Sequence, residues 1–311
     1  MLQTIEAVEV DEFSSAVAGL TIDYIRTDAG SGPCRVTTVD SGSVQLSTGS
    51  MGFSAVAGTE IPSDLGVFAL IRCAPEGSTW CGTELAEGQL FFLAPGTTFL
   101  AAEPEGLAAT ILAVRYAELG RTADEHCRTF ARHSVRPLGP SNEADLLRET
   151  MSRVAVDPAS ALHRRWAPTT LEVATAAVTS ERTSVHDLGH RRLDSGKIVA
   201  DAIDWVESSW TYRPTMSELC RATHASESRV RLAFVEAVGV PPSQYFQRRL
   251  LSRFRNDLLD GDPASSSVTE IATALGVTQF GRMAGRYRQA YGELPSDTLR
   301  RHRRHGVGAL R

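Results

Sequence analysis

Between residues 20 and 116 apolar and polar positions alternate in short runs. These are Arg35-Val36-Thr37-Thr38-Val39, Ser43-Val44-Gln45-Leu46-Ser47, Val67 to Arg72, Leu90 to Leu93 and Ala109 to Tyr116. Asp40-Ser41-Gly42, Pro75-Glu76-Gly77, Pro95-Gly96 and Pro104-Glu105-Gly106 separate them as turns. Short β-branched runs at this spacing predict an antiparallel sandwich or barrel. From about Ala117 to Arg182 the period changes to that of helices. Asn142 precedes Glu143 to Val156, with Leu146, Leu147, Met151 and Val154 on one side, and Pro168 opens a second apolar helix through Leu171, Ala174 and Val178. These helices either cover the barrel or form a dimer interface. Residues 183–196 mix Thr, Ser, Gly, His and Arg without apolar periodicity and read as a linker.

The C-terminal part repeats. Ser217-Glu218-Leu219-Cys220, Phe234, Gly239 and Pro242 recur as Thr269-Glu270-Ile271-Ala272, Tyr287, Gly292 and Pro295. A repeated supersecondary unit fixes architecture better than local propensity does. Each copy reads as helix, tight turn, helix. In the first, a cap near Thr215 starts a short helix, Ala222-Thr223-His224-Ala225 turns the chain, and Ser226 opens a second helix with Val230, Phe234 and Val238 inside. In the second, Ser267 precedes Val268 to Leu275, Gly276-Val277 turns, and Thr278 or Gln279 opens a helix with Met283 and Tyr287 inside. Gly239 and Gly292 stop the second helices, since glycine enters the left-handed region at little cost. From Pro241-Pro242 to Asp260 runs one long helix, with Tyr245, Phe246, Leu250, Phe254 and Leu258 apolar and Arg248, Arg249, Arg253 and Arg255 charged. At about 27 Å it approaches the roughly 34 Å turn of duplex DNA.

Charge sharpens this division. The whole chain carries a net −5, but residues 197–311 hold 17 basic and 12 acidic groups, while the first 196 residues hold 15 and 25. A basic segment joined to an acidic one predicts polyanion contact through the C-terminal part alone. Lys197 is the single lysine, so arginine supplies every other cationic contact.

With Glu218-Leu219-Cys220, Ser226, Arg231, Ala233-Phe234, Gly239, Pro242, Tyr245, Arg249-Leu250, Glu270-Ile271-Ala272, Leu275-Gly276, Arg286-Tyr287, Tyr291-Gly292, Pro295 and Ser296 in place, residues 197–304 resemble the AraC/XylS family of bacterial transcription regulators. The resemblance implies two helix-turn-helix units, a family habit of activation through RNA polymerase, and an N-terminal cupin-like barrel that binds an effector and promotes dimerisation. It implies DNA contacts from Ser226, Glu227, Ser228, Arg229, Arg231 and Leu232 in the first unit and from Gln279, Phe280, Arg282 and Arg286 in the second. A solvated helix charge is the alternative for Arg229 and Arg231. Two departures stand out: Val277 where the family usually has Phe, and Gly285 where it has Arg. With Gln279, Phe280, Gly281 and Ala284 as its face, the second unit is expected to contribute positioning, shape and methyl contacts, and the first to read bases. Arginine suits base reading because its fork bonds O6 and N7 of guanine together. Arg248, Arg249, Arg253 and Arg282 are either phosphate contacts or partners of Glu236, Asp257 and Asp260.

The expected fold is α+β: a cupin-like sensor barrel over 1–116, a helical dimerisation or packing region over 117–182, the linker over 183–196, and an all-α DNA-binding domain over 197–311. Gly77-x-x-Trp80-x-Gly82-x-x-Leu85-x-x-Gly88-x-Leu90 looks like the strand-turn-strand of such a barrel. Phe68, Trp80, Phe91 and Phe92 either line an effector cavity or are ordinary core aromatics. The first histidine is His126, so the His and Glu cluster of a metallo-cupin is missing, and neither a Gly-x-Ser-x-Gly elbow, a P-loop nor a dinucleotide fingerprint occurs. No enzyme, metal or cofactor is expected. Five cysteines without CxxC spacing fit reduced thiols, and Cys73 and Cys81, flanking a turn, make a thiol switch conceivable. The acidic start lacks the features of a secretory signal, and the apolar runs Val67 to Ile71 and Leu90 to Ala94 are too short to span a membrane, so a cytoplasmic location is expected. Expected partners are double-stranded DNA, a second copy of the chain, RNA polymerase by resemblance, and a small-molecule effector. The alternative keeps the DNA domain and makes the acidic half a ligand-independent dimerisation or protein-interaction module.

Overall fold

The computed structural model describes residues 2–7, 13, 17, 19–28, 30–119, 135–159, 166–180, 190–209, 213–261 and 266–305. The chain is α+β and divides into two compact units, one built mainly from residues up to Gly196 and the other mainly from Lys197 onward.

Among the described residues, twelve strands form the first unit's two sheets: β1 (Leu2–Ala7), β2 (Thr21–Arg26), β3 (Cys34–Asp40), β4 (Val44–Ser50), β5 (Ala55–Glu60), β6 (Leu65–Cys73), β7 (Thr79–Trp80), β8 (Thr83–Glu84), β9 (Leu90–Leu93), β10 (Thr98–Glu103), β11 (Ala108–Arg115) and β12 (Arg136–Pro137). One sheet runs β1-β3-β4-β11-β6-β9-β12, the other β2-β5-β10-β7-β8. All five runs expected as strands are strands. Seven more appear where the pattern is weaker, among them β5 and β10, whose alanines and glycine are poor strand formers held by mutual pairing from Thr98 opposite Glu60 to Glu103 opposite Ala55.

The unbroken apolar runs have a structural cause. Strands β6 and β9 are buried on both faces, so alternation of apolar and polar residues vanishes. Val67, Ala69, Ile71, Phe91 and Leu93 enter the core between the sheets. Phe68, Leu70, Leu90 and Phe92 point the other way, into a second core beneath two helices, α1 (Asn142–Val156) and α2 (Trp166–Ser180). Helix α1 is capped by Ser141, whose hydroxyl accepts from the Ala144 amide at 3.0 Å, one residue before the expected cap. Its buried stripe is Ala144, Leu147, Met151 and Val154; Leu146, expected on that side, is 48% exposed. Helix α2 begins two residues before Pro168 and buries Ala174, Ala177 and Val178. Both helices therefore cover the first sheet.

Helix α3 (His190–Ser209) contains residues 190–196 of the expected linker, while 183–189 lie outside the described residues. Six further helices lie among the second unit's described residues: α4 (Met216–Thr223), α5 (Glu227–Val238), α6 (Pro242–Asp260), α7 (Val268–Ala274), α8 (Phe280–Tyr291) and α9 (Pro295–His305). Phe234, Tyr245 and Phe246 meet edge-on or tilted at 5.2 to 5.6 Å between centroids and tie α5 to α6. A second cluster joins Leu250, Phe254 and Leu258 of α6 to Ala272, Met283 and Tyr287. The long helix is thus shared by both repeats. Arg255, counted above with its charged positions, is instead buried: its guanidinium donates to Tyr287 Oη at 3.0 Å and Glu293 Oε1 at 2.9 Å, and lies 4.6 Å from the Tyr291 ring centroid.

Candidate nucleic-acid interface

The two repeats are built alike from local chemistry. Thr215 caps α4 through a reciprocal pair: its hydroxyl accepts from the Glu218 amide at 3.3 Å, and Glu218 Oε2 accepts from the Thr215 amide at 2.8 Å. Ser267 and Glu270 make the same box at α7, at 3.1 and 2.8 Å. The bonds from Thr215, backbone first, hold the Glu218 carboxyl below its ordinary range, and those from Ser267 do the same for Glu270. The turns differ. His224 enters the left-handed region at φ 52° in the first unit, where Gly276 at φ +71° serves in the second. A histidine there is strained relative to glycine, yet the turn closes with the Ala225 amide bonded to the Cys220 carbonyl at 3.3 Å.

Helix α5 follows, with the Arg229 amide donating to Ser226 Oγ at 3.3 Å. Val230, Ala233, Phe234 and Ala237 are buried. The opposite face carries Ser226, Glu227, Ser228, Arg231 and Leu232, all exposed, with Arg229 half-buried beside them. Five of the six named first-unit residues therefore share one open surface. Arg231 donates through Nε and Nη2 to Glu227 Oε1 at 3.0 and 2.7 Å, and Arg229 lies 3.5 Å from Glu236. The Arg231–Glu227 pair is exposed, and such pairs are worth at most about 1 kcal/mol, so the Arg231 fork exchanges partners readily. Of the remaining arginines, Arg253 pairs with Asp257 at 3.0 Å, and Arg249 pairs with Glu207 on α3, a partner the spacing did not suggest. Arg282 is exposed and its Nη1 reaches Gln279 Oε1 at 3.4 Å.

In the first unit a cavity of about 70 Å³ opens between the sheets. Trp80 lines it. Phe91 is packed behind Trp80 at 5.4 Å between centroids, and Phe68 and Phe92 belong to the core under α1 and α2, so neither reaches the cavity. Successive strand residues point to opposite faces, which is why Phe91 and Phe92 part company. Wall residues not anticipated include Tyr24 and Glu103. Glu103 Oε1 accepts from Trp80 Nε1 at 3.2 Å, and the Tyr24 hydroxyl also bonds this carboxyl. Burial pushes Glu103 up to about 7 against the pull of both hydrogen bonds. Burial, and then the charge of Glu103, push Tyr24 well above its ordinary value. The signal was present: Phe99, Ala101 and Glu103 alternate along β10 onto one face, but Glu103 abuts the Pro104-Glu105-Gly106 turn and resembles a surface residue. Burial pushes the Cys81 thiol up to about 11, which makes it a poor thiolate. Among the described residues no group of three His, Cys, Asp or Glu is placed to hold a metal ion.

Residues 219–301 match a helix-turn-helix domain family. The probable thc operon regulatory protein of Rhodococcus erythropolis is 35% identical over 103 residues, 33% of this chain and 31% of that protein. The XylDLEGF operon transcriptional activator of Pseudomonas putida is 34% identical over 98 residues, 32% of this chain and 30% of its own. The likeness to these operon regulators lies in this C-terminal helix-turn-helix domain. Its similarity to these relatives spans about a third of their length. Among solved structures, the AraC-like transcriptional activator CuxR is similar over 81% of this chain and 94% of its own, at 18% identity and a TM-score of 0.40.

The C-terminal domain is asymmetric. On α8, Met283, Tyr287 and Ala290 are buried, and the outer face presents Gln279, Phe280, Gly281, Arg282 and Gly285, with Arg286 half-buried. Phe280 is 41% exposed. Val277, where the family usually has Phe, is buried in the second repeat's core, so the smaller side chain is accommodated by packing. Nothing within 4 Å would meet a Cβ added at Gly281 or Gly285. Their glycines are therefore required by no internal contact and leave the helix backbone bare on that face. No helix among the described residues is long and apolar enough to cross a membrane.

Proposed function

We propose that the chain is a sequence-specific transcription regulator, an activator, that binds double-stranded DNA as a homodimer through α5 and α8 and is modulated by a small molecule held in its N-terminal barrel. One observation carries the DNA reading: two capped helix-turn-helix repeats share one helix and each leaves the outer face of its second helix open. The 19 residues of α6 span about 28 Å, close to a turn of B-DNA, which favours entry into successive major grooves. In the first repeat Arg231 and Arg229 supply base contacts, with Ser226, Glu227, Ser228 and Leu232 around them. In the second, Gln279, Phe280, Arg282 and Arg286 position the helix and read groove shape and thymine methyl groups. Activator function and contact with RNA polymerase follow from the family resemblance. The cavity favours an effector over a purely structural barrel, because a filled core would serve dimerisation equally well.

The test begins with DNA selected from a random library by the intact protein. Replacing Arg231 by Ala should weaken binding to the selected site by about 1 to 3 kcal/mol and relax preference at one base pair. An equal loss on random DNA assigns Arg231 to a phosphate, and no loss on either overturns the assignment of α5 as the base-reading helix.

A further inference from the structure

The barrel cavity is mainly apolar, yet one carboxylic acid stands in its wall. Phe13, Tyr24, Trp80 and Phe99 surround the space with aromatic rings, paired at 5.6 Å for Phe13 with Tyr24 and 5.5 Å for Trp80 with Phe99. Among the described wall residues the only ionisable side chains are Tyr24 and Glu103, and neither supplies positive charge. Glu103 itself is 9% exposed, and two donors fix its carboxyl in place: Trp80 Nε1 on Oε1, and the Tyr24 hydroxyl.

We infer that this cavity binds a small organic amine, its ammonium group paired with the Glu103 carboxylate and its apolar body among Trp80, Phe99, Phe13 and Tyr24. The assignment rests on the sensing role proposed above and names its ligand class. A buried carboxylate without a cationic neighbour is costly, and a ligand cation removes that cost while gaining charge-assisted hydrogen bonds. Electron-rich ring faces around an ammonium add cation–π attraction. The same wall repels an anion, because a ligand carboxylate would meet Glu103 without a compensating base. Size narrows the class further. The cavity holds about five water molecules, so the ligand has about five to eight non-hydrogen atoms. The burial that pushes the Glu103 pKa up to about 7 leaves it poised to ionise when a cation arrives.

Three probes sharing one branched alkyl body separate the possibilities: isopentylamine, isopentyl alcohol and isovalerate. Each is titrated into the full chain by calorimetry and by thermal unfolding, and its effect on affinity for the selected DNA site is measured alongside. Isopentylamine should bind at least about tenfold more tightly than the other two, and Glu103→Gln should abolish that preference. Ala109→Met, which fills the cavity from β11 and leaves the carboxyl intact, should block the amine and keeps the test open if Glu103→Gln fails to fold. Equal or tighter binding of the alcohol or the acid, or no binding of any probe, overturns the amine assignment. Tight amine binding that leaves DNA affinity unchanged instead supports the amine site and overturns the sensing role, so the two failures are distinguishable.

Discussion

A carboxyl group shut away from water resists ionising, and Glu103 makes the barrel's stability depend on pH. In the unfolded chain it titrates near the ordinary glutamate value of 4.5, and in the folded barrel near 7. A raised folded value means that the stabilising contribution is complete below pH 4.5 and is lost as pH rises through 7. The loss amounts to about 3 kcal/mol at most, from roughly 1.4 kcal/mol per pH unit. Unfolding of the full chain between pH 4.5 and 8, followed by near-ultraviolet signals of Trp80's domain, should show this slope, and Glu103→Gln should flatten it. A slope that survives the substitution assigns it to another group. Such a residue is legible in sequence only through strand parity: Glu103 shares a face with Phe99 and Ala101, just as Phe91 and Phe92 part because they are neighbours. Composition offers no such clue, because a glutamate beside a Pro-Glu-Gly turn has the appearance of a solvated one.

At the scale of elements, the repeat at 52 to 53 residues made the C-terminal helices readable almost to their caps, because Thr215 with Glu218 and Ser267 with Glu270 are chemical start signals that do not depend on tertiary context. The barrel was less readable. Strands β7, β8 and β12 have two residues each, too few for any alternation, and β5 and β10 are strands because they pair with each other. The burial of Arg255 is hidden in the sequence for a related reason: its partners Tyr287 and Glu293 come from 32 and 38 residues downstream, beyond any helical spacing. This arginine fastens α6 to the second repeat, and Thr298 completes the network by donating to Glu293 Oε1 at 2.6 Å. Arg255→Ala should therefore destabilise the second repeat by about 3 to 5 kcal/mol, since it leaves Glu293 partly buried without its cation. Chemical denaturation of the full chain checks this; a change under 1 kcal/mol would show that the pair contributes little.

Across the whole molecule, the acidic first 196 residues and the basic remainder assign contact with a polyanion to one part of the chain. Affinity for DNA should accordingly fall as salt rises. If the homodimer doubles the grip, residues 197–311 alone should bind the selected site more weakly than the full chain in the same buffer, and equal affinity removes dimerisation from the mechanism. The bare face of α8 has an outcome at the level of the genome. Where Gly281 and Gly285 stand in place of long side chains, that part of the surface cannot penalise a wrong base by leaving a bonding group unsatisfied, which leaves Gln279 and Arg282 as its few polar contacts. Regulatory sites for this protein should then tolerate drift unevenly: one block, under α5, frozen against change, and a companion block about ten base pairs away that keeps its curvature while its letters wander.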